Sequence, residues 1–311
     1  MNSTIKAVAY FSGIPAKNNN QEKPLILKNF LEGVEKCGDK AIAQHEMRVI
    51  DADVALIQGF VHENGKTLPH LILRKNAFDH QIKNGKKALI VDSNLFLYAG
   101  DRLSKKYLRY SFNGVFPTTG FYFDKDVNPL RWQKISTDLG IQLKPWKTDG
   151  EAILICLQRN GGWSMQGYPV LDWLDKTITK VRSVCKKSPI IVRLHPGDKK
   201  MPRMINLRGY KNVHLSHEKD IRNDFRKCFA TVLHNSSPAV ASAIEGVPVF
   251  LTDPNPEHSQ ACSVANKDLD RLRDPILPDR QEWIERLAMC HWNFDELRSG
   301  EAWKFFRQYI T

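Results

Sequence analysis

The chain has 311 residues, 42% hydrophobic and 26% charged, with no low-complexity tract, which excludes a disordered or fibrous protein and suits two α/β units of about 150 residues each. Lys and Arg outnumber Asp and Glu by 46 to 34, a formal charge of +12 that points to a polyanionic partner. No apolar run approaches the roughly 20 residues needed to span a bilayer, the N-terminus lacks a signal-peptide pattern, and the six cysteines include no Cys-x-x-Cys pair, so a cytoplasmic protein with reduced thiols and no disulfide framework or zinc site is expected.

Apolar stretches at 5–11, 41–50, 54–60 and 87–92 predict strands, and helical spacing at 24–37 and 69–83 falls between them, so residues 1–147 read as a doubly wound half. Gly13 follows the first strand, where a missing Cβ lets a ligand approach the backbone. Asp51-Ala52-Asp53 has the Asp-x-Asp form of a metal motif, but it precedes a strand and reads as a turn, so no metal is expected. Asp92 ends the strand Ala88-Leu89-Ile90-Val91 and is the first candidate for a general base, although strand-end aspartates also serve as turn or cap residues. Glu63, in Val61-His62-Glu63-Asn64-Gly65, is the second candidate, and His62 titrates near neutrality.

If the run from Arg102 to Gly114 is helical, Arg102, Lys105, Lys106 and Arg109 fall at i, i+3, i+4 and i+7 and form one basic stripe beside Tyr107, Tyr110 and Phe112. The plainer reading is a solvated helix face. Residues 1–147 carry 22 basic and 14 acidic side chains, an excess of +8, which leaves +4 for the remainder and puts the polyanion on the N-terminal half.

The pattern breaks into a polar connection at 144–150, and a second series begins with a strand at 152–157. Arg159-Asn160-Gly161-Gly162 follows, a glycine loop with an arginine suited to diphosphate but unlike a Walker loop. After a helix at 169–186, the strand at 189–194 stops at His195-Pro196-Gly197, which presents an imidazole at the carboxyl edge of the sheet. A strand at 212–216 and a helix at 220–228 lead to the apolar run 230–233, then Ser236-Ser237-Pro238 and a small-residue helix closed by Glu245-Gly246 before the strand 247–251. Two hydroxyls at a helix N-terminus suit a phosphate, and the same geometry serves simple capping. Neighbouring strand ends would gather Arg193, His195, Ser236 and Ser237 around one phosphate-sized site. Residues 280–309 read as helical and rich in Trp and Phe, packing back across the domain junction.

His195-Pro196 followed about forty residues later by Ser236-Ser237 resembles the paired His-Pro and Ser-Ser motifs of GT-B glycosyltransferases, notably bacterial sialyltransferases, capsular Kdo transferases and teichoic-acid polymerases. The resemblance covers roughly residues 150–260. It implies two Rossmann-like doubly wound domains with an interdomain cleft: an acceptor-binding domain over 1–147, a nucleotide-sugar domain over 148–280, and a helical tail over 281–311. It also implies that His195, Ser236 and Ser237 contact the donor phosphates and that Glu245 reaches the ribose, with a UDP- or CMP-sugar as co-substrate and no cofactor. Arg159 and Arg193 join this donor set on the residue reading above. The Asp/Glu-Asp/Glu-Gly motif that carries the acceptor-side base in sialyltransferases has no clear counterpart, since Asp149-Gly150 lies in the connection.

Three readings follow. The first is a sugar transferase acting on a hydroxylated pyrimidine of DNA, as in bacteriophage base-glycosylating enzymes, with Gly13, Arg102, Lys105, Lys106 and Arg109 on the acceptor side. The second is the same chemistry on a capsule, lipopolysaccharide or teichoic-acid acceptor. The third is a non-enzymatic nucleic-acid-binding α/β protein. The oligomeric state is left open.

Overall fold

The computed structural model describes residues 3–14, 22–59, 68–96, 106–117, 120, 123, 127–147 and 149–310. The elements begin with β1 (Lys6–Tyr10), α1 (Glu22–Lys36), β2 (Lys40–Gln44), β3 (Val54–Gln58), α2 (Pro69–Lys83), β4 (Lys87–Asp92), β5 (Leu108–Phe112) and α3 (Pro129–Leu139). Next come β6 (Ala152–Cys156), α4 (Val170–Val184), β7 (Ile190–Arg193), α5 (Met201–Met204), β8 (Val213–Leu215), α6 (Ile221–Lys227), β9 (Cys228–Leu233), α7 (Pro238–Ile244) and β10 (Val249–Leu251). The chain closes with α8 (Gln281–Met289), β11 (His291–Trp292), α9 (Phe294–Ser299) and α10 (Glu301–Arg307). Two units result, Met1–Gly140 with Glu285–Thr311, and Ile141–Ile284. Among the described residues no helix is long and apolar enough to cross a membrane, and all six cysteines are free thiols.

The first unit is built on a sheet of order β11-β5-β4-β3-β1-β2. Strands β1 to β4 run parallel, β5 pairs antiparallel with β4, and β11 pairs antiparallel with β5. Period-two alternation sends Ala7, Ala9 and Leu56 to a face covered by Phe30, Trp303 and Phe306, and sends Val8, Ala55 and Ile57 to the face covered by Leu73 and Ala77 of α2. Gly33 lets α1 lie against α9, since a Cβ there would sit 2.0 Å from the Leu297 carbonyl oxygen. Asp39 ties the two ends of this unit together by accepting from the Ile5 amide at 2.9 Å, the Trp303 indole at 2.8 Å and Arg307 at 2.7 Å.

One expectation is corrected in this unit. The basic stripe does not run through Arg109 as a helix face, because Leu108–Phe112 forms β5, with Arg109 registered opposite Asp92 of β4. Leu108, Tyr110 and Phe112 are all buried, and this alternating run satisfies a strand more fully than the charges satisfy a helix. The C-terminal segment is helical, as read from sequence, in three pieces. It breaks at β11, restarts at a capping box between Asn293 and Glu296, and turns at Gly300, whose φ of +87° favours glycine. Glu296 is also the buried counter-charge of Arg131, held by bonds of 2.5 and 2.7 Å. Burial alone would raise its pKa, but the Arg131 bonds and charge outweigh that and hold the carboxyl below its ordinary value.

The second unit has the all-parallel order β10-β9-β6-β7-β8, with β6 in the centre and entirely buried. An all-parallel sheet needs both faces covered, which accounts for near-continuous apolar strands such as Ala152–Cys156. The polar stretch read from sequence as a connection is tied into this unit. Lys144 N donates to Ile244 O at 2.9 Å, the Trp146 indole donates to Pro278 O at 2.8 Å, and the Arg280 guanidinium stacks 3.7 Å over the Trp146 ring.

Candidate functional site

In the second unit the strand order reverses at β6, with β7 and β8 to one side and β9 and β10 to the other. Loops leaving the carboxyl ends of β6 and β9 therefore diverge, which opens the crevice where parallel α/β sheets bind ligands. The chain places Gln158–Gly162 after β6, His195–Asp198 after β7, His234–Ser237 after β9 and Asp253 after β10 around that edge.

His195 is half-buried, and its Nδ1 accepts the Gly197 amide proton at 3.0 Å. That bond puts the ring proton on Nε2, leaving an N–H donor for a ligand. Burial first, and the Arg159 charge second, hold the imidazole below its ordinary pKa, so it is neutral at pH 7. Gly197 leaves room for this packing, since a Cβ there would meet His195 Cε1 in a tight contact of 3.1 Å. Asp198 fixes the turn by accepting from the amides of Met201 at 3.0 Å and Asn160 at 2.8 Å, and so links the loops that follow β6 and β7. The Asn160 bond leads the causes that hold the Asp198 carboxyl below its usual range.

Ser236 and Ser237 stand immediately before α7. Ser237 occupies the N-cap position without a side-chain capping bond, and the buried Ser236 hydroxyl has no hydrogen-bond partner among the described residues. Neither serine is spent on capping, so the simpler of the two sequence readings is not the one adopted. Beneath them, the Gln158 amide donates to Asn235 Oδ1 at 2.8 Å, and Asn235 in turn donates to the Asp253 carboxylate. This network joins the ends of β6, β9 and β10 and keeps the edge rigid. His234 lies 3.7 Å from Asp253 and edge-on to the Trp173 ring, with its Nδ1 unpartnered. Burial lowers the His234 pKa, and Asp253 opposes the shift.

Gln158, His234, Asn235, Asp198 and Asp253 are absent from the candidate residues drawn from sequence. Their one shared signal is position, since each follows an apolar strand run by at most a few residues.

Two residues of the expected donor set are engaged elsewhere. Arg193 is held by Asp224, which is only 1% exposed and requires a cation. Its guanidinium binds Asp224 at 2.7 Å, Glu218 O at 2.9 Å and Lys219 O at 3.0 Å. Glu245 sits past the far end of α7, roughly 13 Å of helical rise from Ser236, and is ion-paired to Lys144. Arg159 is exposed and forms no ion pair among the described residues.

In the first unit, Asp92 has both carboxylate oxygens engaged, Oδ2 by Arg109 at 2.6 Å and Oδ1 by the Ser93 amide at 2.8 Å. Lys106 pairs with Glu22 at 2.7 Å, and Gly13 offers its carbonyl to Arg74. Glu63, His62, Arg102 and Lys105 lie outside the described residues. Also among the described residues, no cluster of three or more His, Cys, Asp or Glu side chains could hold a metal ion.

No protein-family model matches the sequence, and no curated protein matches it. Solved structures do. KpsC of Thermosulfurimonas dismutans, as a β-Kdo 2,4-transferase, matches at 14% identity and a TM-score of 0.56 over 92% of this chain and 91% of that one. KpsC of the same organism, as a β-Kdo 2,7-transferase, matches at 13% identity and a TM-score of 0.53 over 96% and 99%. The fold is of the GT-B class, with two Rossmann-like units in one chain.

Proposed function

We propose that this chain is a glycosyltransferase whose second unit binds the phosphates of a nucleotide-sugar donor, with a UDP- or CMP-sugar as co-substrate. The observation that carries the reading is a pair of unspent donors at one sheet edge, His195 Nε2–H and the Ser236 hydroxyl, unpartnered among the described residues, beside the exposed Arg159 and the half-buried Ser237. In transfer, an acceptor hydroxyl attacks the anomeric carbon as the bond to the donor phosphate oxygen breaks. Negative charge then grows on the leaving phosphate. Fixed donors that need no reorganisation stabilise that charge, and such stabilisation is a principal contribution to catalysis.

The acceptor in this reading is an anionic glycan. The net charge of +12 and the fold shared with two Kdo transferases support it. A hydroxylated pyrimidine of DNA is the second reading, supported by the same charge, but the helical basic stripe that favoured it has given way to a strand whose Arg109 is paired to Asp92. The test has two arms. Thermal shift against UDP-, CMP-, GDP- and ADP-sugars separates an enzyme from a nucleic-acid binder, with about 2.7 kcal/mol of stabilisation expected at a hundredfold over Kd. Mass analysis of an anionic oligosaccharide and of hydroxymethylated duplex DNA after incubation with the donor separates the two acceptors.

A further inference from the structure

The first unit carries a buried guanidinium with no counter-charge among the described residues. Arg74 of α2 is 8% exposed, and its Nε donates to Gly13 O at 2.6 Å, while Nη2 has no partner among them. Burial pulls its pKa down to about 10, the direction expected of a cation without a stabilising anion. An arginine so desolvated is ordinarily matched by a carboxylate, and no described carboxylate pairs with this one.

Its place in the fold is specific. Gly13 follows β1, and Gly59 follows β3, where a Cβ would come 3.3 Å from Arg74 Nη1. β1 and β3 are adjacent strands, and β2 lies on the other side of β1, so the strand order of this sheet reverses there as it does at β6 in the second unit. Two further basic groups lie near enough for the Arg74 charge to act on them. Burial, followed by the Arg74 charge, lowers the pKa of Lys23 in the first turn of α1 and of His70 in the first turn of α2. Glu22, whose charge acts on Lys23, is itself ion-paired to Lys106. The side-chain oxygen of Gln58, at the end of β3, is a second unpartnered polar atom on this edge.

We propose that Arg74, with Lys23 and His70, forms an anion site in the first unit that takes a carboxylate or phosphate group of the acceptor glycan. The acceptor role rests on the transferase reading above. The anion site rests on the unpaired guanidinium. Arg74 is its floor, supplying fixed N–H donors for an oxyanion, and the half-buried Lys23 and His70 form its rim.

The experiment measures binding of sodium glucuronate, inorganic phosphate and neutral glucose to the full chain, using wild type, Arg74→Gln, Lys23→Gln and His70→Gln. The expected result is saturable binding of at least one anion and none of glucose. Arg74→Gln should weaken that binding about tenfold or more, and each rim variant less, with the donor-induced thermal shift unchanged in all three. Glucuronate and phosphate, assayed separately, decide which oxyanion is preferred. If Arg74→Gln fails to fold, the two rim variants decide alone. Folded variants that bind both anions as tightly as wild type overturn the site, and the donor arm then still reports on the transferase reading. Anion binding that depends on Arg74 in a protein that binds no nucleotide sugar keeps the site and removes its acceptor role. Displacement of glucuronate by duplex DNA, absent in Arg74→Gln, would overturn the glycan assignment.

Discussion

Replacing Ser236 by alanine should separate folding from function in opposite directions. The hydroxyl is buried and unpartnered, and such a group costs about 1–3 kcal/mol relative to one that is bonded. Ser236→Ala removes the unsatisfied oxygen and leaves only a small gap before α7, so the ligand-free protein is expected to gain about 1 kcal/mol. For a unit the size of Ile141–Ile284, that corresponds to a Tm rise of about 2–4 °C. The donor loses a hydrogen bond to a charged phosphate, worth about 1.5–3 kcal/mol, or roughly a 10- to 150-fold increase in Kd. Scanning calorimetry of the free protein and calorimetric titration with the nucleotide sugar read the two effects separately. A variant less stable than wild type with unchanged donor affinity would refute the reasoning, because the hydroxyl would then be serving the fold.

Further outcomes follow from other contacts. Gly197→Ala places a Cβ against the His195 ring, so turnover should fall about ten- to a hundredfold with little loss of stability, read by steady-state kinetics beside a melt. Glu296→Gln leaves Arg131 buried without its counter-charge and should cost about 3–5 kcal/mol in chemical denaturation. Because the folded pKa of Glu296 is depressed, its contribution is present above the unfolded value near 4.3 and is lost as pH falls through the folded value, so the variant should show a flatter acid limb of stability than wild type. Asp92→Asn should loosen the β4–β5 pairing by about 1–3 kcal/mol yet leave transfer within about tenfold, whereas a folded variant slowed 10²- to 10⁴-fold would return Asp92 to the role of base ahead of Glu63.

The doubly wound pattern was legible because strands such as Ala152–Cys156 and Val54–Gln58 are short apolar runs with polar ends, and the motifs after them fall at strand ends by construction. β5 was hidden because Lys105, Lys106 and Arg109 imitate helical spacing while Leu108, Tyr110 and Phe112 carry the strand period, and only burial chooses between the two patterns. Arg193 looked available from sequence because its captor, Asp224, lies 31 residues away on α6. Arg74 escaped notice for the same reason, since an ordinary helix position gives no sign that its guanidinium reaches Gly13, 61 residues earlier. Strand ends can be read locally. The partners of long cations cannot, because pairing is decided by the packing of elements distant in sequence.

The central claim, that the second unit holds donor phosphate between His195 and Ser236, is tested most directly by titrating wild type and the His195→Ala, Ser236→Ala double variant with the UDP-, CMP-, GDP- and ADP-sugar panel. The account predicts saturable binding of one nucleotide class to wild type and a loss of about a hundredfold or more in a double variant that melts as a folded protein. Equal affinity in both proteins, or no binding to wild type by any of the four, would contradict it.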